Sequence, residues 1–349
     1  MMNPFNITFG KEPSSLISRN DDLEQIFNSF SSENPNSQVY IITGIRGSGK
    51  TVAMTTVSEY YEKNSEWICV ELNPEDDMLE QLASKLYDKG KLKKIFLNTE
   101  FDISFKGISF SISGNVPITN VSTLLEKELE FLKKKNKRVL ITIDEAISNS
   151  YMKIFVHEFQ TFLRKNYNVC LLMTGLYKNI SLLEKQKSLT FLFRAPKIYM
   201  GQLNIKAIAN SYRNIFKTSE IDSIRLAKFT EGYAYAYQVL GNILYENKKT
   251  KIDTNVIDQF DEILFQRAYN IIYSELSEKE KIIINSSLCG NTNENIISKA
   301  NITKSQLSAY KNRLVLKGIL KKNREKIEFQ LPRFKDFLRF NLIYDEIDE

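Results

Sequence analysis

The sequence predicts an α/β chain: a core built on a parallel sheet, a helical lid after it, and a small C-terminal winged helix. Three observations predict this. Short apolar runs at residues 39–42, 138–143 and 169–173 alternate with helix-length amphipathic stretches, as in strands buried on both faces with helical crossovers. Residues 204–249 then carry helical periodicity alone. From 276 to 340, capped helix starts precede two short apolar runs around a basic turn.

The first strand leads into Gly44-Ile45-Arg46-Gly47-Ser48-Gly49-Lys50-Thr51, a complete G-x-x-x-x-G-K-T phosphate loop, and a helix-compatible stretch from 52 to 62 follows. The glycines let the backbone curl so that successive N–H groups point at a β-phosphate, at the positive end of a helix dipole. Gly44, Gly47, Ser48, Gly49, Lys50, Thr51 and Val52 are therefore the candidate phosphate-binding residues. Lys50 is expected to neutralise the β- and γ-phosphates, and the Thr51 hydroxyl to hold Mg²⁺. The expected ligands are ATP and Mg²⁺, in a P-loop NTPase core.

The next strand, 138–143, runs into Asp144-Glu145. Asp144 is expected to orient the Mg²⁺ shell and Glu145 to polarise the attacking water as general base. A third strand ends in Thr174-Gly175, where the hydroxyl either contacts the γ-phosphate or attacking water, or simply starts a turn. Arg194, between the apolar run 189–193 and the short strand 196–200, either senses the γ-phosphate of its own or a neighbouring subunit or forms a structural ion pair.

Phosphate loop, Asp-Glu strand, polar strand end and late arginine, in that order, resemble the AAA+ superfamily. More narrowly they are similar to origin-recognition initiator ATPases, archaeal-type ATPases and STAND signalling ATPases. Residues 8–23 resemble the segment those families place before the first core strand, against the adenine, which makes Pro13, Ile17 and Arg19 candidates for base contact. The resemblance spans about residues 8–345 and looks closest to bacterial ATP-binding proteins of undefined function, through residues 171–177 and 232–241. Two departures stand out. Residues 234–241 offer no cation where AAA+ hydrolases carry one at the start of the last lid helix, and Ala234 stands where STAND proteins have a proline. Slow turnover, or an ATP-held switch, is the expected consequence.

The 349 residues are 42% hydrophobic and 26% charged, ordinary values for a soluble chain. No apolar run approaches a membrane span and the N-terminus lacks a signal-peptide pattern, so no membrane partner is expected. Cys69, Cys170 and Cys289 are widely spaced and suggest buried thiols in a reducing cytoplasm, and the single histidine, His157, excludes a histidine-based metal site. The net charge of +6 is uneven: residues 299–339 hold twelve Lys/Arg against three Asp/Glu, leaving the remainder at −3.

The expected organisation is a core over 1–202, with a β-hairpin inserted at about 101–113, a helical lid over 203–252, and a linker helix plus winged helix over 253–349. The hairpin is expected to touch DNA or a subunit, or to pack on its own domain. In the winged helix, Ser277 opens a capping box and Thr303 caps the groove-facing helix. Lys304, Gln306, Ser308, Lys311 and Arg313 on that helix, with Lys322 and Arg324 in the wing, are the candidate contacts to double-stranded DNA. The leading expectation is an ATPase coupling nucleotide state to DNA binding, with homo-oligomers allowed. The alternative is a STAND-like switch acting through protein–protein contacts, its winged helix packed inside the molecule.

Overall fold

Strands numbered along the chain are β1 (Val39–Thr43), β2 (Trp67–Leu72), β3 (Ile103–Phe105), β4 (Ile108–Phe110), β5 (Arg138–Ile143), β6 (Val169–Gly175) and β7 (Lys197–Tyr199). Every residue of β1 and β6 is buried, which is why these segments read as continuous apolar runs without alternation. The computed structural model describes residues 2–8, 14–89, 103–105, 108–110, 121–186, 189–289, 292–323 and 327–347. They form two compact units, one of Asn20–Thr43 and Lys50–Ile198, the other of Met1–Arg19, Gly44–Gly49 and Tyr199–Glu349.

The first unit is an α/β layer structure on a five-stranded sheet of order β2-β5-β6-β1-β7. The pairs β2–β5, β5–β6 and β6–β1 are parallel. β1 connects to the far edge at β2 whereas β6 connects across β1 to β7, so the chain changes direction between β6 and β1. Crevices at the carboxyl ends of such a switch point are where open α/β sheets bind ligands. The register places Ile143 opposite Met173 and Ile42 opposite Thr174, which brings the residues ending β1, β5 and β6 level with one another.

Helices α1 (Asn20–Ser31), α2 (Lys50–Glu62), α3 (Met78–Asp88), α4 (Val121–Lys134), α5 (Ser150–Arg164), α6 (Tyr177–Glu184) and α7 (Thr190–Phe193) belong to this unit. Their starts follow from side-chain caps: Asp77 accepts from the Leu79 and Glu80 amides, and Asn149 from Met152. The stripe Met152, Phe155, Val156, Phe159 and Phe162 of α5 is fully buried in the core. β3 and β4 pair antiparallel as a hairpin, Phe105 opposite Ile108; its turn at 106–107 lies outside the described residues.

The second unit begins with α8 (Ile205–Phe216), α9 (Glu220–Phe229) and α10 (Ala234–Glu246), the helical lid segment. A long helix follows, α11 (Thr254–Leu264), a π-helical turn (Phe265–Tyr269) and α12 (Asn270–Ser274). Then come α13 (Glu278–Ser286), α14 (Asn293–Ala300), α15 (Lys304–Leu316) and α16 (Phe334–Ile347). Ser277 forms the capping box the sequence predicts, and the predicted cap Thr303 forms a second box with Gln306. After α15, Leu320 bridges Phe329 antiparallel, with Lys321 N–H donating to Glu328 O (2.8 Å) and Gln330 N–H to Ile319 O (2.8 Å), the two arms of a wing.

Residues 2–8 and 14–19, grouped by sequence with the core, belong to this second unit, where Phe5 packs against Tyr212 of α8 and Tyr237 of α10. A Cβ on Gly241 would stand 2.3 Å from the Phe5 ring, so only glycine leaves room for it. Lid helices and winged helix share one continuous core that runs from Phe5, Tyr212 and Tyr237 through Phe260 and Tyr269 to Leu307, Leu314, Phe334 and Phe337. Polar ties reinforce it: Arg333 pairs bidentately with Asp261, Lys317 with the buried Glu280 (2.8 Å), and Lys321 with Glu231 (2.8 Å).

In the first unit Glu128 of α4 lies fully buried among Leu124, Leu125, Leu129 and Leu132, and neither carboxyl oxygen has a hydrogen-bond partner among the described residues. Burial pushes its carboxyl up to about 9. An unfolded glutamate titrates near about 4.3, so on raising pH the unfolded chain loses this proton first. Stability is therefore greatest below the unfolded value and falls progressively as pH rises toward the folded value. Denaturant titrations between pH 5 and 9 should show this decline, and Glu128→Met should flatten it and raise stability at the alkaline end.

Candidate nucleotide site

The phosphate loop bends where its glycines permit. Gly47 and Gly49 have φ of 73° and 90°, in the left-handed region that disfavours side chains. Ser48 N–H donates to Ile45 O (3.2 Å), closing the turn. A Cβ on Gly47 would lie 2.6 Å from Tyr233 Oη and 2.8 Å from Tyr235 Cβ, so the lid's first turn rests directly on this glycine. Tyr233 Oη donates to Arg46 O (2.6 Å) and Tyr235 N–H to Gly47 O (3.1 Å). The outer carbonyls of the loop are thereby held by the protein. Ser48 is buried with its hydroxyl unpartnered among the described residues, a donor held ready inside the loop.

Arg19 donates from Nη2 to Ser48 O (3.2 Å) and Gly201 O (2.8 Å), so it braces the loop from behind. Ile17 is half-buried against the same core, and Pro13 lies outside the described residues. Lys50 and Thr51 open α2, Lys50 buried and Thr51 exposed, and Val52 follows half-buried.

At the strand ends of the first unit, Thr51 Oγ1 donates to Asp144 Oδ2 (2.8 Å) and Thr174 Oγ1 donates to Asp144 Oδ1. Glu145 N–H donates to both Asp144 Oδ1 (3.0 Å) and Thr174 Oγ1 (3.2 Å). The Thr174 hydroxyl, fully buried, thus gives its one proton to Asp144 and accepts from the Glu145 backbone. Glu145 takes φ of 49°, a sparsely populated conformation for a side-chain-bearing residue, and its carboxylate is exposed. Ala146 N–H donating to Thr174 O (2.8 Å) locks the same turn. Thr174 is accordingly a strut for both acidic residues, a role that the bare Thr-Gly strand end did not reveal.

Arg194 caps α7 through its backbone and points outward, its guanidinium without hydrogen bond or ion pair among the described residues. Nothing described there corresponds to a structural ion pair. On α15, Lys304, Ser308 and Arg313 are exposed, and Arg313 lies over the Tyr310 ring at 5.0 Å. Gln306 is otherwise engaged: its Oε1 accepts from Thr303 N–H (2.8 Å) in the capping box. Lys311 is half-buried and donates to Asn293 Oδ1 (2.8 Å), and burial lowers its pKa. Lys322 is exposed in the wing; Arg324 lies outside the described residues.

No protein-family model matches this sequence, and the comparison with curated proteins gives no match. Among solved structures, 95% of the chain is similar to 99% of a Walker-type ATPase of Pyrococcus abyssi, at 13% identity and a TM-score of 0.62. It is also similar to Cdc6p of Pyrobaculum aerophilum, at 16% identity over 97% of both chains and a TM-score of 0.50. Identities this low speak to fold. The chain has the fold of these structures, a phosphate-loop core on a five-stranded sheet, continued by helical and winged-helix elements.

Proposed function

We propose that this protein binds and hydrolyses ATP with Mg²⁺ and couples its nucleotide state to double-stranded DNA through the winged helix. The arrangement of Thr51, Asp144, Thr174 and Glu145 carries the reading. A hydroxyl and a carboxylate 2.8 Å apart at a strand end suit an ion that takes few protein oxygens and keeps its waters, as Mg²⁺ does. When bound, Mg²⁺ would neutralise phosphate charge and align the transferring group. The residues of the chain supply the rest. The amides of the loop and Lys50 hold the phosphates, Thr51 and Asp144 hold the ion, and Glu145 accepts the proton of the attacking water. Arg194, exposed and unpaired among the described residues, is suited to a γ-phosphate of its own or a neighbouring copy in a homo-oligomer.

DNA is supported by the exposed basic face of α15 and by the C-terminal charge of +9 against −3 elsewhere. Coupling is supported by a contact inside the second unit. Gly318, which ends α15 with φ of 75°, lies against the Ile45 side chain of the phosphate loop, 3.4 Å from where its own Cβ would be. A groove-facing helix whose last turn touches the loop can feel a change in the loop. The same contact, with the Lys321–Glu231 tie, favours a second reading: a STAND-like switch whose winged helix serves only internal packing. Buried free thiols at Cys69 and Cys170 support a reducing, cytoplasmic setting. No helix among the described residues is long and apolar enough to cross a membrane.

Glu145→Gln should abolish turnover while ATP remains bound, and undiminished hydrolysis would refute the assigned base. Thr174→Val removes the strut but no phosphate contact, so single-turnover hydrolysis should slow about ten- to a hundredfold with ATP affinity nearly unchanged. Binding to duplex DNA, followed by anisotropy, should weaken with a slope near −0.9 per phosphate neutralised, and Lys304→Ala should make that slope shallower by about one. Turnover that DNA leaves unchanged, together with no DNA binding at low salt, would instead establish the switch.

A further inference from the structure

Trp67 and Arg138 are the first residues of β2 and β5, and the parallel register sets them side by side. The Arg138 guanidinium lies over the Trp67 ring, 5.6 Å from its centroid, and Tyr61 packs on the same indole at 4.2 Å. These three form the floor of a cavity of about 460 Å³, within the range of small-molecule sites. Tyr60, Lys63, Glu33 and Glu66, all exposed, line its rim. Asp144 stands beyond the opposite end of β5, a strand of six residues, and so roughly 20 Å away along the chain direction. The cavity is therefore separate from the acidic strand end.

The donors on this floor are only partly used. Arg138 Nη1 donates to Phe30 O (2.8 Å) and Ser32 O (3.0 Å), which satisfies carbonyls at the end of α1. That capping role accounts for one corner of the guanidinium. Its Nε and Nη2 make no hydrogen bond among the described residues, and no carboxylate there pairs with it. The Nε–Nη2 edge is a side of arginine that grips an oxyanion through two parallel bonds. Trp67 is only 7% exposed, and its indole N–H likewise has no partner among the described residues. Tyr61 is satisfied by contrast: its Oη donates to Phe27 O (3.1 Å) and accepts from Ser31 Oγ (3.1 Å). Two open donors, one of them charged, thus meet on an aromatic floor.

We propose that this cavity binds a small monocarboxylate with a planar aromatic body, its carboxylate on the open Arg138 edge and the Trp67 N–H. Charge decides for a carboxylate over a phosphate. The charged residues of the lining are Arg138 and Lys63 against Glu33 and Glu66, which cancel. A dianionic phosphate would meet as many carboxylates as cations, whereas a monoanion needs only the single cation that the floor supplies. The ligand's body has a surface of its own. Tyr60 is 53% exposed and braced by the rings of Phe27 (4.7 Å) and Tyr61 (5.0 Å), so it is a fixed wall with open area for stacking.

The chain holds one tryptophan, so its indole N–H gives a single resonance that reports on this cavity. The test titrates the nitrogen-labelled full chain with hydrocinnamate and follows that resonance. Hydrocinnamate should shift it saturably, while hydrocinnamamide and phenyl phosphate should each bind at least about tenfold more weakly. Arg138→Gln should lower hydrocinnamate affinity about ten- to a hundredfold, and Arg138→Lys, which keeps the charge without the planar edge, should recover only part of it. Because Arg138 also caps α1, Tyr60→Ala serves as a second variant, at a side chain with no hydrogen bond among the described residues. It should lower affinity about three- to tenfold and leave the indole resonance of the unliganded protein in place. No shift at millimolar hydrocinnamate, an equal response to the amide, tighter binding of phenyl phosphate, or unchanged affinity in both Arg138→Gln and Tyr60→Ala would each overturn the proposal.

Discussion

The hydroxyl of Thr174 is the point on which the candidate chemistry turns. It has one proton to give and gives it to Asp144, so its lone pair is available to the Glu145 amide. That allocation holds Asp144 facing Thr51 and forces Glu145 into a left-handed backbone conformation that projects its carboxylate outward. Strain of this kind, about 1–3 kcal/mol, persists only where neighbouring bonds over-determine it. Here three bonds do so, counting the Ala146 amide to the Thr174 carbonyl. The parallel register makes it possible, because Ile143 opposite Met173 puts the next residues of both strands side by side at the switch point.

A second constraint governs the phosphate loop. Gly47 and Gly49 adopt positive φ, and at Gly47 two tyrosines occupy the volume a side chain would need. The loop's outward carbonyls are consumed by Tyr233, Tyr235 and Arg19. Backbone groups buried without partners are costly, and these contacts satisfy the loop's carbonyls from outside, while the buried Ser48 hydroxyl has no partner among the described residues. The loop is preorganised as a donor surface before any anion arrives, and preorganisation of this kind is where electrostatic binding gains its strength.

Much of this was legible in the chain. The loop, the Asp-Glu strand end and the helix caps at Ser277 and Thr303 are short-range patterns, and local physics alone determines them. The hairpin pairing of β3 with β4 was equally local. What was hidden depended on long-range packing. Thr174 read as a contact to the γ-phosphate or attacking water, or as a turn residue, because its partners lie about thirty positions away. Residues 2–19 looked like part of the core until Phe5 was seen to need the missing side chain of Gly241. Gln306 looked free to read bases, but the cap at Thr303 proves to be a reciprocal box that engages its side chain. Glu128 had a visible signal, since it falls on the apolar stripe of α4, but a carboxylate there reads as an interruption until burial is measured.

The shared core of the lid and the winged helix also changes how a nucleotide signal must travel. A winged helix on a flexible linker would be moved as a body, through a hinge. Here Leu307, Leu314, Phe334 and Phe337 belong to the same apolar cluster as Tyr212 and Tyr237 of the lid, and Arg333 is clamped to Asp261 in α11. Close-packed interiors shift between discrete arrangements rather than bending continuously. Among the described residues, Ile45 is linked to the winged helix at Gly318, and Gly47 through Tyr233 and Tyr269 to Pro332. Both contacts begin on the loop and end in the winged helix, within the one apolar core of the second unit.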